Sequence, residues 1–368
     1  MSESKRLEQG RNNVTVVGAV SEYNLVISER KMKITDEDGT EREIVSALMY
    51  GTLVVDSSGA TIKHNILTSK HRANGEISNI FENLCKAFNI VCGYDENKSQ
   101  ATYDFSEPGI FPKINGKLTV KRLKKGEEET NVKGAADPTV IRTKGYLSRN
   151  LFLNKDKNDL IVGKQISIQG IDKNIEGDDS AIFTISGYVY EVLPRVDTNG
   201  NETGELDVKF IVPNYRDIDV FTFRVPKEWT ADGETFSSED FTQFIDSTEA
   251  ENENEMNMIN LIGDIENVSY GSTPRANKVA FGKKSNITPA FNRVEWHIKG
   301  GSLSEDNIVE TVDDITNAMK EYSVFLDAEF DRIKERTNNS NDAGDDEEKP
   351  VSKGMGKKNK ISAKDLPF

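Results

Sequence analysis

Basic and aromatic side chains alternate in one part of this sequence, residues 110–173, where bases outnumber acids by seven. Cations neutralise a flexible phosphate backbone and aromatic faces stack on bases, so this combination is typical of single-stranded nucleic acid binding. An ordinary sheet with a solvated basic edge explains the pattern equally well. The candidate binding residues in this region are Lys121, Arg122, Lys124, Lys125, Arg142, Lys144, Tyr146, Arg149 and Phe152.

The β-type run Ala181–Leu193 adds two tyrosines to the candidate site. Its odd positions from Phe183 to Val189 are apolar, whereas its even positions include Tyr188 and Tyr190. Successive side chains of a strand point to opposite faces of the sheet. If the odd positions form core, both tyrosines face outward, as on an oligonucleotide-binding surface.

A weaker repeat of the same combination lies near the end of the β-rich sequence. Arg293 and Trp296 stand close together there, after several other cations. We include both as candidate nucleic-acid contacts. Burial of Trp296 in a core is the favoured alternative, because one tryptophan between cations is a weak signal.

Enzymatic motifs do not account for the sequence. The run Gly282-Lys283-Lys284-Ser285 lacks two residues that a phosphate-binding loop requires. No zinc-protease, nucleophile-elbow or dinucleotide fingerprint occurs. Asp217 and Asp219 could form a metal pair on one strand face, but a solvated strand face is the favoured interpretation. We therefore predict no catalytic residue, no metal ligand and no cofactor.

The net charge of −15 is divided unevenly along the chain. Residues 231–266 contain eleven acidic residues and no Lys or Arg, whereas 110–173 and 267–300 are both basic. Segregated charge creates local fields that differ from the net charge. An acidic protein can therefore still carry a groove for a polyanion.

Short β-type runs separated by turn residues dominate the chain, which predicts a mostly β fold. We expect one or more OB-like small barrels, a few helices and a disordered C-terminal tail. An open sandwich fragment is the alternative for the central strands. The expected organisation is a β-rich unit with one helix over 1–109, an OB-like barrel over 110–230, an acidic loop or insertion over 231–258, further strands and a long helix over 259–336, and a tail over 337–368.

The long helix carries an apolar seam. Its residues recur at steps of three and four over about three and a half heptads. Packing onto the same chain is the favoured interpretation, and pairing with a second chain is the alternative. The seam comprises Ile308, Val312, Ile315, Met319, Tyr322, Leu326, Phe330 and Ile333.

Targeting and redox features are sparse. The N-terminus lacks the apolar stretch of a secretory signal, and no window is apolar enough to span a membrane. Cys85 and Cys92 are the only cysteines, too few for a disulfide scaffold. A cytoplasmic location is the expectation.

The last four residues, Asp365-Leu366-Pro367-Phe368, follow a polar segment that contains an acidic cluster. This ending resembles the tail of bacterial single-stranded DNA-binding proteins, and its leucine resembles the Gram-positive version. The resemblance implies that the tip docks replication and repair enzymes through a C-terminal carboxylate pocket. Phe368 would be the anchor, Pro367 would limit flexibility, and Asp365 would meet a basic rim.

The sequence differs from that family in two respects. Lysines, not consecutive acids, precede the tip, and the chain is much longer than cellular members with one OB-fold. A longer chain with several β units and an acidic tail looks more like a bacteriophage member of this class, which would act in the cytoplasm of a bacterial host.

These observations predict a non-enzymatic protein that coats single-stranded DNA with low sequence specificity. Its tip would recruit a helicase, primase, polymerase or recombinase, and it would have no membrane partner. A phage virion or assembly protein built of β domains is the first alternative. A metal-dependent nuclease is the second.

Overall fold

The computed structural model of this protein describes residues 6–342, apart from 36–38, 88–90, 96–99, 105–114, 122–126, 131–139, 155–158, 174, 176, 198–199, 216 and 271–290. The described part is mostly β, as predicted, and has three helices. Its elements are β1 Asn12–Thr35, β2 Glu41–Ser57, β3 Ala60–Ser69, α1 Asn79–Ala87, β4 Val91–Asp95, β5 Gln100–Asp104, β6 Asn115–Lys121, β7 Glu127–Thr130, β8 Val140–Asn154, β9 Asp159–Lys173, β10 Ser180–Val196, β11 Glu202–Pro213, β12 Ile218–Val225, β13 Glu228–Ala231, β14 Glu234–Ser237, α2 Ser238–Ser247, β15 Glu255–Asn257, β16 Ile259–Tyr270, β17 Phe291–Leu303, β18 Val309–Thr311 and α3 Val312–Asp342.

The described residues include two closed five-stranded barrels. In barrel one the ring runs β1-β2-β3-β9-β8 and back to β1, with β3 and β9 parallel and the other pairs antiparallel. Barrel two repeats this order as β10-β11-β12-β17-β16, with β12 and β17 parallel. In chain order, the first four strands of barrel one are β1, β2, β3 and β8, and those of barrel two are β10, β11, β12 and β16. A helix lies between the third and the fourth strand in each case, α1 in barrel one and α2 in barrel two. Both rings have the five-stranded Greek-key arrangement of an OB-fold.

The two barrels match position by position. Gly145 on β8 pairs with Val14 and follows a β-bulge, and Gly263 on β16 pairs with Phe183 and follows a bulge in the same place. A Cβ atom at either glycine would collide with a backbone oxygen of the next strand, Ser167 or His297 respectively. Both positions therefore require glycine for the same reason, and they align the two barrels.

Alternating strands fill both barrels with apolar side chains. β3 alternates strictly between buried and more exposed residues, as a strand with one core face does. In barrel two the aromatic rings of Phe183 and Phe223 stack with their centroids 5.3 Å apart, and Trp296 packs on both. Burial of these large side chains is the main source of stability.

The barrels are joined through their first strands and through side chains. Residues 12–17 of β1 pair antiparallel with residues 180–185 of β10, so the barrels share one sheet. Asn267 of barrel two donates to the carbonyl of Gly59 in barrel one at 2.9 Å. This link fixes the faces of the barrels relative to one another.

Helix α3 packs on the same chain, as the favoured interpretation of its seam predicts. Ile315 and Tyr322 are buried in a cluster with Tyr188 and Ile211 of barrel two. The helix begins at Val312, so Ile308 lies in the segment before it, and it extends beyond Arg336 to Asp342. The rest of the predicted tail lies outside the described residues. No helix in the described ranges has the length and apolar content needed to cross a bilayer.

The predicted barrel over 110–230 is wrong in its boundaries. The region does contain strands β8 to β12, but β8 and β9 complete barrel one whereas β10, β11 and β12 open barrel two. Ring closure joins strands that are far apart in sequence, and local periodicity does not reveal which strands meet.

The segment 231–258 is not simply an exposed acidic loop. It holds most of a β13–β14 hairpin, helix α2 and strand β15. Phe241 on α2 is buried in the core, and Trp229 just before the segment donates to the carbonyl of Lys299 at 2.7 Å. The acidic side chains are exposed, but the segment belongs to barrel two.

Candidate nucleic-acid interface

Four of the predicted residues share the outward side of β8. Ile141, Thr143 and Leu147 point into barrel one and are buried, which turns the even-numbered positions outward. Tyr146 is 38% exposed and Phe152 is 45% exposed. At about 3.3 Å per residue the row from first to last is roughly 33 Å long, enough to follow several nucleotides. We call the row Arg142, Lys144, Tyr146 and Phe152 the β8 face.

The cations of the β8 face are only partly neutralised. Asp172 of β9 lies 2.9 Å from the Lys144 ammonium and 3.9 Å from the Arg142 guanidinium. All three side chains are more than one-third exposed. Pairs of this kind contribute little and are readily exchanged. One carboxylate for two cations leaves a net positive charge beside Tyr146.

Small residues on β9 support the aromatic rings of the β8 face. A Cβ atom at Gly163 would lie 3.1 Å from Cε1 of Phe152, so that ring lies over the glycine. Tyr146 pairs in register with Ser167, which is itself in register with Asn65 of β3. The face is thus continuous with β3, the third strand of barrel one.

Arg149 does not belong to the β8 face. Its guanidinium donates to Asp219 at 2.8 Å and forms a second ion pair with Asp217, and both carboxylates belong to barrel two. The guanidinium carbon also lies 4.3 Å from the ring centroid of Phe325 on α3. Arg149 therefore links barrel one, barrel two and α3, and its prediction as a nucleic-acid contact is corrected.

Asp217 and Asp219 accordingly form ion pairs instead of a metal site or a solvated strand face. Asp219 is buried, and burial raises the pKa of its carboxyl while Arg149 lowers it. Within the ranges that the structure covers, no group of three or more His, Cys, Asp or Glu residues is placed to hold a metal ion.

One of the two tyrosines of β10 is buried and the other is exposed. Its odd positions do form core, but Tyr188 is fully buried because α3 and the segment before it cover that side of barrel two. The expectation that Tyr188 faces outward is wrong. Tyr190 is 54% exposed and is the extra residue of a bulge between Val189 and Glu191. It lies on barrel two, apart from the β8 face.

Arg293 and Trp296 are separated by burial. Arg293 is exposed on β17, whereas Trp296 is buried and its ring packs 5.3 Å from that of Phe183. The favoured alternative of a core Trp296 is confirmed, and its candidacy as a nucleic-acid contact is corrected.

The other predicted residues are only partly covered. Lys121 ends β6, which pairs in parallel with β1, and it is half-buried in register with Ser28. Arg122, Lys124 and Lys125 lie outside the described residues. So do the tip residues Asp365, Leu366, Pro367 and Phe368.

The sequence reasoning missed a cation at the junction of the barrels. The Lys164 ammonium donates to the carbonyl of Thr222 on β12 and lies 5.2 Å from the ring centroid of Phe223. The pKa of Lys164 is lowered from 10.5 to about 8, mainly by burial and in part by the nearby Arg293. No local signal marks this lysine, because its partners are more than fifty residues away in sequence.

An exposed aromatic residue was missed as well. Tyr215 is 73% exposed in the turn between β11 and β12, beside the aspartates that pair with Arg149. A lone tyrosine in a turn-rich segment carries no periodic signal. It is not part of the β8 face.

The equivalent face of barrel two is an ionic network. Arg224 pairs in register with His297, as Asn65 does with Ser167 in barrel one. The Arg224 guanidinium forms an ion pair with Glu295, and His297 lies 3.3 Å from Glu295 and 3.1 Å from Glu266. Hydrogen bonding from His297 lowers the pKa of Glu266 to about 2, with Lys299 adding to the effect. Cations and carboxylates neutralise one another here.

A family model named YorF matches residues 119–338, more than half of the chain. No curated protein sequence matches this chain. Among solved structures, the wild-type single-stranded DNA binding protein from Thermus aquaticus is similar at a TM-score of 0.32 and 11% identity, over 80% of this chain and 94% of that chain. A deletion mutant of the same protein is similar at a TM-score of 0.30 and 9% identity, over 80% of this chain and 95% of that chain. By the match of its family model, the chain belongs to the YorF family.

Proposed function

We propose that this protein binds single-stranded DNA along the β8 face with little sequence specificity and without catalysing a reaction. The observation that carries the proposal is the row of two cations and two exposed aromatic rings on one side of β8. Cations hold the phosphate backbone, and tyrosine and phenylalanine faces stack on unpaired bases. Duplex DNA has no unstacked bases to offer these rings.

The position of the face within the barrel supports the same function. OB-folds bind oligonucleotides across strands two and three and the adjoining loops. The β8 face continues through β9 to β3, the third strand of barrel one. Phe152 lies near the turn of the β8–β9 hairpin, which joins the fourth and fifth strands of barrel one in chain order. A strand bound here would follow the outside of barrel one.

The charge distribution is compatible with a polyanionic partner. The acids of 231–266 lie on barrel two and its helix, whereas the β8 face carries net positive charge on barrel one. An acidic tail would compete with DNA for the basic face at low salt and be released when DNA binds.

The C-terminal tip would recruit partner enzymes. We propose that Phe368 and its carboxylate enter an apolar pocket with a basic rim on a helicase, primase, polymerase or recombinase. Asp365 would meet the rim, and Leu366 and Pro367 would shape the tip. Taken with its resemblance to a phage single-stranded DNA-binding protein, the chain would act in DNA replication, recombination or repair in the bacterial cytoplasm.

Fluorescence anisotropy with labelled oligo(dT) over a salt series tests the DNA-binding proposal. We expect the observed association constant to fall steeply with salt. Tyr146→Ala and Phe152→Ala should each weaken binding by about 1–3 kcal/mol. Tyr215→Ala is the matched control, since it removes an exposed aromatic ring that lies off the face.

Three other outcomes would contradict the proposal. Absence of oligo(dT) binding at low salt would favour the virion or assembly protein, and Mg²⁺-dependent degradation of the oligonucleotide would favour the nuclease. Equal losses in Tyr146→Ala and Tyr215→Ala would move the site away from β8.

Deletion of residues 365–368 tests the tip. Thermal stability should stay unchanged, affinity for single-stranded DNA should stay equal or rise slightly, and capture of a purified host helicase or primase should be lost. Retained capture by the deletion variant would remove the tip from the proposal.

A further inference from the structure

A patch of neutral hydrogen-bonding side chains adjoins Tyr146. Ser167 lies directly across from Tyr146, and its hydroxyl is 2.8 Å from that of Ser148. One strand further, the Asn65 side chain donates to the Gln165 side-chain oxygen. All four polar side chains are half-buried, and none of them is ionisable.

This patch cannot contribute to phosphate neutralisation. Its groups are amides and hydroxyls, which offer directed donors and acceptors without charge. Such groups recognise base edges once the base is held by stacking. Asn65 lies two strands from Tyr146, so at about 4.8 Å per strand its backbone stands roughly 10 Å from that of the tyrosine, and Gln165 lies on the strand between them. That is within reach of the far edge of a base stacked on the ring.

The hydrogen bond within the patch leaves a defined pair of groups for a ligand. Asn65 uses an N–H and Gln165 uses its oxygen in this bond, so the Asn65 oxygen and the Gln165 NH₂ group are not engaged in it. An acceptor and a donor on neighbouring side chains match adenine, which presents its N6 amino group beside a ring nitrogen, whereas thymine has no amino group. A purine also reaches further from a stacking ring than a pyrimidine does.

Barrel two indicates that the fold does not impose this composition. At the positions equivalent to Asn65, Gln165 and Ser167 it carries Arg224, Glu295 and His297. The same framework thus accommodates charged groups at all three positions. The neutral amides of barrel one therefore call for another explanation, and ligand recognition supplies it.

We propose that Asn65 and Gln165 read the edge of an adenine base stacked on Tyr146, giving the β8 face a preference for adenine at one nucleotide. The inference rests on the proposed function. It deepens that function by adding a modest base preference to an otherwise sequence-tolerant track.

Anisotropy with oligo(dT) and with oligo(dT) that contains interspersed deoxyadenosines tests the proposal. The wild-type protein should prefer the adenine-containing strand by about 5- to 150-fold, the range of one good bidentate contact. Asn65→Leu and Gln165→Leu should each remove the preference and leave oligo(dT) affinity unchanged. Thr61→Leu is the matched control, because Thr61 is an exposed residue of β3 outside the patch.

The outcomes separate the two proposals. Equal affinity of the wild-type protein for both strands would overturn adenine recognition and leave DNA binding intact. A loss in Asn65→Leu that is equal for both strands would assign Asn65 to general binding and would also overturn it. Failure to bind either strand would overturn the proposed function itself. Circular dichroism melting of each variant reveals whether a loss reflects unfolding.

Discussion

Barrels one and two share one backbone arrangement but carry different side chains on their equivalent outer faces. Gly145 and Gly263 occupy the same bulge, yet the residues that follow them are Tyr146 and Asp264. On barrel one the face around this position combines an exposed aromatic ring with uncharged amides and hydroxyls, next to two cations that share one carboxylate. On barrel two it is crossed by ion pairs and includes Glu295 and His297, which are both buried. An OB-like framework thus leaves its outer side chains free to differ in charge pairing and in exposure between the two barrels.

The largest effect is expected from breaking the ionic network. Arg224→Met leaves Glu295 buried without its guanidinium partner, and removing one member of a buried pair costs about 3–5 kcal/mol. The equivalent change in barrel one, Asn65→Leu, removes only a neutral hydrogen bond and should cost about 1 kcal/mol. Urea unfolding of both variants measures the difference. Similar losses in the two would contradict the contrast between the faces.

A second difference lies inside the barrels, where His64 occupies the position of Phe223. His64 is fully buried, and its Nε2 lies 3.0 Å from the Thr143 hydroxyl oxygen. Burial lowers the pKa of His64 from 6.5 to about 4. Between these values the unfolded chain binds a proton that the folded chain does not. Stability should therefore fall as the pH falls from 6.5 to 4, by up to about 3 kcal/mol.

His64→Phe, which places the barrel-two residue in barrel one, tests this assignment. The variant should lack the part of the acid dependence that belongs to His64. Urea midpoints at several pH values between 4 and 7 measure it. If wild type and variant keep parallel pH profiles, His64 is not responsible.

A smaller effect on stability is expected at alkaline pH, from Lys164 at the junction of the barrels. The pKa of Lys164 is lowered from 10.5 to about 8 by burial. As the pH rises from 8 to 10.5, the folded protein has already lost a proton that the unfolded chain still holds. Stability should rise over this window by about 1 kcal/mol after allowance for solvent screening. Lys164→Met should abolish the rise in thermal midpoint, and a persistent rise would point to another group.

The smallest effect concerns single phosphate contacts. Lys144→Gln on the β8 face should reduce the slope of log affinity against log salt by about 0.7 for single-stranded DNA. Lys209→Gln is the barrel-two control, because the Lys209 ammonium forms an ion pair with Glu191, 2.5 Å away. The control should leave the slope unchanged. Equal reductions in both would mean that DNA contacts both barrels.

Local sequence pattern determined the elements of this protein and one row of its candidate site. β-type runs predicted β8, β10 and β17 and placed Arg142, Lys144, Tyr146 and Phe152 on one of them, and in the structure the alternation of strand side chains turns these four outward together. Strand side chains alternate by covalent geometry, so a run that is buried on one side fixes the other side as well. These inferences needed no knowledge of which strands pair.

Tertiary structure alone decided which strands close each barrel and which outward positions stay open. Tyr188 has the parity of a surface residue, but α3, more than a hundred residues later, covers it. The sequence predicts Arg149 as part of a basic groove, but its guanidinium forms ion pairs with Asp217 and Asp219 of the other barrel. Burial and ion pairing depend on groups brought together from distant parts of the chain, and periodicity within one strand contains no information about them.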